Sequence, residues 1–203
     1  MDIFPIFAIG LGIQKSPEGL PFARKMFTEN KKMLKSVSNV PGHLTTLSGY
    51  KRNTTIVTHK DTTNLRNIKR LIYTHALNFF AGCGYDTTKY DLEVVNIWLN
   101  EMRNICEHKA HNHYGYQISG CFYVDMPKNT GDILFINNDK NVAYGMVDSK
   151  TYTVYNSMTW RMTPEEGDMY FWRSDVLHQV LSSEFSGVRR SIAFDINVLD
   201  KVD

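Results

Sequence analysis

The sequence predicts a mainly β fold, a β-sandwich or jelly-roll barrel, packed by helices at its N-terminal end. Three observations carry this expectation. Some eight short apolar or alternating runs follow one another in the C-terminal half, turn-like compositions separate them, and helical periodicity is confined to the residues upstream. With 203 residues the chain suits one well-cored domain. Residues 1–203 are therefore expected to form a single unit, with helical support and loops over 1–90 and a jelly-roll core over 91–200.

Residues 3–13 are apolar and punctuated by glycine, the pattern of a short strand. Beyond Pro17 and Pro21, Phe22, Met26, Leu34 and Val37 recur among lysines and predict an amphipathic helix over 22–37. The stretch from Pro41 to Lys60 lacks any period and reads as loop. A second helix is clearer, because Asp61, Thr62 and Thr63 offer N-caps. Leu65, Ile68, Leu71, Ile72, Leu77 and Phe80 then keep helical spacing until Gly82 and Gly84.

In "DLEVVNIWLNEM" (91–102) alternation sets Val95, Ile97 and Leu99 on one face and Val94, Asn96, Trp98 and Asn100 on the other. Further strands are expected at "ISGCFYVDM", "DILFINN", "NVAYGMV", "TYTVYNS", "DMYFWRS", "HQVLSS" and "RRSIAFDINV". The segments "PKNTG", "NNDK", "TPEEG" and "SSEFSG" are expected to turn between them.

Composition excludes more than it selects. A net charge of +2 gives no concentrated basic face for nucleic acid or an anionic membrane, and the lysines and arginines of residues 24–35 read as a solvated helix face. Three cysteines, Cys83, Cys106 and Cys121, share no CxxC spacing, so no disulfide framework or thiolate zinc site is expected. The apolar start lacks the basic region and cleavage site of a leader, and no apolar run spans a membrane. These features suit a reducing, cytoplasmic setting, and a homo-oligomer stays as open as a monomer.

Chemistry gathers in a few residues. His111 and His113 stand two apart at the mouth of a predicted strand and would face one side, where two imidazoles can reach one metal ion. On its own the pair also suits a hydrogen-bonded turn. His178, at another strand mouth, and Arg189, eleven residues later, raise the metal reading. Alternation places Arg189, Ser191, Ala193 and Asp195 on one face and the apolar Ile192, Phe194 and Ile196 with Arg190 on the other. Small neighbours leave room beside Arg189, whose planar fork suits a carboxylate. Asn96, Trp98 and Asn100 share a face leading toward this region. Trp160 and Trp172 read as packing residues, and His43, His59, His75 and His108 as structural or surface ones.

"HNHYGYQISGCFYV", "YFWRSDVLHQV" and "RRSIAFDIN" follow in the order of the motifs HxHP, SGxYYV, FPSxLxHxV and RxSIxFN, and the chain thereby resembles the 2-oxoglutarate- and Fe(II)-dependent oxygenases. "IFPIF" and "VVNIWLNEM" extend the likeness over nearly the whole chain, most strongly over 96–197. The resemblance implies a double-stranded β-helix, a cupin-like jelly roll whose mouth holds Fe(II). It implies His111, His113 and His178 as metal ligands and Arg189 as the anchor of the distal carboxylate of the co-substrate 2-oxoglutarate; Tyr123, on the strand after the histidine pair, and Ser191, the small neighbour of Arg189, are expected beside it. It further implies hydroxylation of an unidentified small molecule or protein side chain, with release of succinate and CO2.

The chain departs from the usual two-histidine, one-carboxylate set, since His113 stands where an acid is expected. Either three histidines bind the iron, or one of the pair joins His178 and water or another carboxylate completes the set. Asp125, the nearest later acid, falls at the far end of its strand. Two other functions stay open: a cupin-like three-histidine metalloprotein that does not use 2-oxoglutarate, and a non-catalytic β-sandwich binding module. Specificity is expected from the loops at the barrel mouth and residues 38–60.

Overall fold

The computed structural model describes residues 1–3, 8–36, 43–45, 61–137, 148 and 150–201. Helix α1 (Leu20–Glu29) begins with Pro21 in its first turn, where a missing N–H costs nothing, and buries Leu20, Ala23, Met26 and Phe27. It ends earlier than the sequence suggests. Asn30 donates from Nδ2 to the Met26 carbonyl (2.9 Å). The chain leaves through a 3-10 turn, Lys31–Met33, into strand β2 (Lys35–Ser36). Helix α2 (Thr63–Gly82) starts as expected, with Thr62 accepting from the Leu65 N–H at 3.2 Å. Its buried stripe is Leu65, Ile68, Ile72, Ala76 and Phe80. No helix among the described residues is long and apolar enough to cross a membrane.

The other strands are β1 (Leu11–Lys15), β3 (His43–Thr45), β4 (Tyr90–His111), β5 (Ile118–Asp125), β6 (Ile133–Ile136), β7 (Thr159–Met162), β8 (Asp168–Arg173) and β9 (Leu177–Asp200). They pair in the order β1-β8-β5-β9-β4-β3-β2, while β6 joins the first residues of β9 and carries β7 on its other edge. Every pairing is antiparallel. The short strand β3 falls inside the stretch read as loop.

Alternation along these strands creates two cores. Ile97, Leu99, Phe122, Val124, Met169, Phe171, Ile192, Phe194 and Ile196 pack against α1 and α2. Tyr123, Ile133, Phe135, Tyr170, Trp172 and Val176 fill the space on the other side of the same strands, inside the roll. The odd-numbered residues of β9 from Arg189 to Asp195 therefore face inward, as the pattern predicts.

Three further expectations need correction. Val95 does not share a face with Ile97 and Leu99. The β4–β9 register shifts between Val94 and Asn96, so Val95 is bulged out and 37% exposed, while Val94 packs on the helix side. "TYTVYNS" forms no strand, because Asn156 Oδ1 accepts from the Thr153 N–H (2.7 Å) and the Ser157 N–H returns to the Thr153 carbonyl, closing a turn. "SSEFSG" is no turn between two strands, since β9 runs through it with Gly187 at φ 108°, opposite an irregularity in β4 where Asn104 has φ 67°. Positive φ suits Gly and Asn, and here it shapes a bulge. Strand β7 was not expected, and "NVAYGMV" lies outside the described residues.

Candidate metal centre

Register brings two of the three histidines together. His111, the last residue of β4, pairs directly with His178 on β9. His113 lies two residues beyond the strand, where its backbone N–H donates to the Ser174 carbonyl at 2.8 Å. Ring centroids are 4.4 Å apart for His111 and His178 and 5.2 Å for each of the other pairs. One ligand atom from each of the three can be chosen so that all lie within 4.8 Å of one another.

The hydrogen bonds decide which nitrogen each ring presents. Nδ1 of His111 meets the Lys109 carbonyl (2.8 Å), Nδ1 of His178 the Val176 carbonyl (2.9 Å), and Nδ1 of His113 the Asp195 carboxylate (2.6 Å). A carbonyl or carboxylate oxygen only accepts, so each Nδ1 carries the proton. Nε2 is therefore the nitrogen that each ring has free to turn toward a metal. Burial, with His111 nearby, pushes the His178 pKa down to about 2, and burial lowers that of His111 as well. Burial thus favours the neutral form of His111 and His178, and a set of three imidazole nitrogens suits a first-row divalent cation.

The inner core that His178 borders at Trp172 and Phe135 is bordered at Tyr123 by a buried cation. Arg189 is 2% exposed, stacks its guanidinium 5.6 Å from the Tyr123 ring centre and donates from Nη1 to the Met102 sulfur. Its Nε has no hydrogen-bond partner, and among the described residues no carboxylate pairs with it. The adjacent Arg190 points the other way and pairs with Glu101 and Asp125. Asp125 also pairs with Arg24, so it is engaged away from the histidines. Tyr123 and Ser191 face each other across the β5–β9 register and are both buried. Burial drives the Tyr123 phenol well above its ordinary range, which keeps it an O–H donor.

Of the aromatic residues, Trp172 packs as expected, edge-on to His178 at 4.8 Å. Trp160 is 44% exposed on β7 rather than packed. His108, read as structural or surface, lies with its ring 4.1 Å from that of His111, and His43 meets His108 edge-on at 5.7 Å. Asn100 contacts the ring of His43 (3.3 Å), and Asn96 donates to Asp195 (3.0 Å). His75 is bonded to Ser16, remote from the three histidines in the sequence and on α2. His59 lies outside the described residues. Asp195 was placed on the inward face by alternation, but its bond to His113 was not foreseen.

The family model described as "Putative 2OG-Fe(II) oxygenase" matches residues 96–195. No curated protein matches the sequence. Among solved structures, the fold is similar to that of an oxidoreductase of the 2OG-Fe(II) oxygenase family from Burkholderia pseudomallei, at 11% identity and a TM-score of 0.51, covering 68% of this chain and 58% of that one. The chain thus spans less than two thirds of that relative. A prolyl-4-hydroxylase from Pseudomonas putida is similar at 12% identity and a TM-score of 0.60, with 93% and 92% covered. HygX from Streptomyces hygroscopicus, with nickel and 2-oxoglutarate bound, is similar at 8% identity and a TM-score of 0.55, with 93% and 83% covered. At such identities the likeness is one of fold, and that fold is the double-stranded β-helix.

Proposed function

Because residues 96–195 match the model of the 2OG-Fe(II) oxygenases, we propose that this protein uses Fe(II), O2 and 2-oxoglutarate to hydroxylate a substrate, releasing succinate and CO2. His111, His113 and His178 hold the metal through Nε2. Arg189, Ser191 and Tyr123 hold the co-substrate. The observation that carries the reading is the buried guanidinium of Arg189, which no carboxylate among the described residues pairs with, on the inner core that His178 also borders. An unpaired buried cation costs several kcal/mol. A dicarboxylate bound to the metal at one end and to Arg189 at the other relieves that cost.

The metal, when bound, supplies the O2 chemistry and the 2-oxo acid supplies the electrons. The chain's own residues do the rest. The Lys109 and Val176 carbonyls and the Asp195 carboxylate hold the three Nδ1 protons and so aim the Nε2 lone pairs. Arg189 offers a forked pair of N–H donors to a carboxylate, and the Tyr123 phenol lies under it as a further donor. Phe135, Tyr170 and Trp172 wall the interior and exclude water.

Anaerobic reconstitution with Fe(II) tests the reading. Added 2-oxoglutarate should produce a visible absorption band in the wild type, and O2 should then yield succinate. A protein that neither retains iron nor changes its spectrum refutes it. The absence of a carboxylate from the donor set favours a second reading, a three-histidine centre acting without 2-oxoglutarate. In that case replacement of Arg189 leaves turnover unchanged.

A further inference from the structure

Asp195 is 3% exposed and makes three hydrogen bonds. Its Oδ1 accepts from His113 Nδ1 (2.6 Å) and from Ser119 Oγ (2.7 Å), and its Oδ2 accepts from Asn96 Nδ2 (3.0 Å). Among the described residues no Lys or Arg pairs with it. Ser119 also contacts the Ser174 hydroxyl at 2.7 Å, and the Ser174 carbonyl takes the His113 backbone N–H at 2.8 Å. One connected group therefore fixes both the ring and the main chain of His113.

The three imidazoles are consequently not equivalent. His111 and His178 each donate an Nδ1–H hydrogen bond to a neutral backbone carbonyl, whereas His113 donates one to a buried carboxylate. A carboxylate behind an imidazole polarises the ring and strengthens its other nitrogen as a donor. With a hydroxyl and an amide as its other partners, this buried carboxylate has only the His113 side to balance its charge. A divalent cation on the far nitrogen of His113 would balance it.

We propose that Asp195 is a positioning residue of the metal centre, one that supplies through His113 the negative charge that the three-histidine donor set lacks. This deepens the proposed function and rests on it. The acid absent from the coordinating positions is present one bond further out, and His113 connects it to the metal. His113 becomes the strongest donor of the three, and Asp195 sets both its tautomer and its orientation.

The test compares wild type with Asp195→Asn in anaerobic titrations with Fe(II) and Co(II), following metal affinity and the visible bands of bound Co(II). Asn has the same size and retains an acceptor oxygen, so it removes the charge with little change of shape. Affinity is expected to fall about 10- to 100-fold, the usual effect of losing such a partner, with shifted Co(II) bands and an unchanged melting temperature of the apo form. Ser119→Ala, which keeps the carboxylate, should lose less. Nitrogen-15 NMR of the wild-type apo protein needs no variant and should find the His113 proton on Nδ1, shifted downfield by the carboxylate. A proton on Nε2 instead overturns the proposal, as does an Asp195→Asn variant that binds both metals within twofold of wild type with the same Co(II) bands. If the wild type binds neither metal, the proposed function fails together with this inference. If it binds and the variant is indistinguishable, only the inference fails.

Discussion

Replacing Arg189 with Met should move apo stability and 2-oxoglutarate affinity in opposite directions. Arg189 is buried, its Nε lacks a partner, and its favourable contacts are the Tyr123 ring at 5.6 Å and the Met102 sulfur. Removing the charge relieves a desolvation penalty of several kcal/mol. The lost cation–π contact returns about 0.5–2 kcal/mol of that. A net gain of about 1–2 kcal/mol is expected, because Met fills much of the volume and sits well beside sulfur and aromatic neighbours. At about 2–4 °C per kcal/mol for a chain of this length, the apo protein should melt a few degrees higher. The ligand loses its anchor. Deleting one partner of a buried charge pair costs roughly 2–5 kcal/mol, or about 30- to 5,000-fold in affinity. Thermal melts of the apo protein and anaerobic 2-oxoglutarate titrations of the Fe(II) form read the two effects separately. If the variant binds 2-oxoglutarate like wild type, or if the apo protein loses more than about 2 kcal/mol of stability, Arg189 is a structural cation and not an anchor.

Other outcomes follow from the same geometry. His178→Ala should abolish iron retention, measured as metal per chain after desalting, while its circular dichroism stays that of wild type. Acid should destabilise the apo protein well before its carboxylates titrate. The buried imidazoles of His178 and His108 have pKa values near about 2 and about 3, but near 6.5 when unfolded. The unfolded chain therefore takes up protons below pH 6.5 that the folded chain refuses. Stability present above that pH is lost toward about pH 3, at about 1.4 kcal/mol per pH unit for each group. Urea midpoints between pH 7.5 and 5.5 should show this, and His108→Gln should reduce the slope. Gly120→Ala should cost about 1–3 kcal/mol, because a Cβ there would lie 2.4 Å from the Tyr170 carbonyl oxygen. An unchanged urea midpoint would mean that the strands part without cost.

What the sequence reveals and what it conceals divide along physical lines. The stripe of α2, the Thr62 cap and the inward face of β9 depend on local periods of 3.6 and 2, and they are legible in one dimension. The end of α1 is not, because it depends on an Asn30 side chain folding back onto Met26. The exposed Val95 and the unbroken β9 are not, because a bulge is a relation between two strands. His111, His113 and His178 could be picked out, yet Asp195 could be given no role without knowing which strand lies beside His113. A trace was present all the same. The motif RxSIxFN ends in Asn where this chain has Asp195, a departure that coincides with the buried carboxylate behind the histidine.

The bulges in β9 also account for a geometry that simple alternation forbids. His178 and Arg189 are eleven residues apart on one strand, an odd separation that would send their side chains to opposite faces. Both nevertheless face the interior, His178 against Trp172 and Arg189 over Tyr123. The phase changes where three steps of β9, from Val180 to Ser183, span only two of β4, from Cys106 to His108. One extra residue inverts every side chain beyond it. The packing agrees, since Val180, Phe185 and Met102 share one cluster although Val180 and Phe185 are also an odd number apart. His178 and Arg189, the proposed metal ligand and carboxylate anchor, thus both border the inner core because the strand is irregular between them. The Ser-rich "LSSEFSG", which looks like a turn in the sequence, is the segment that carries this irregularity.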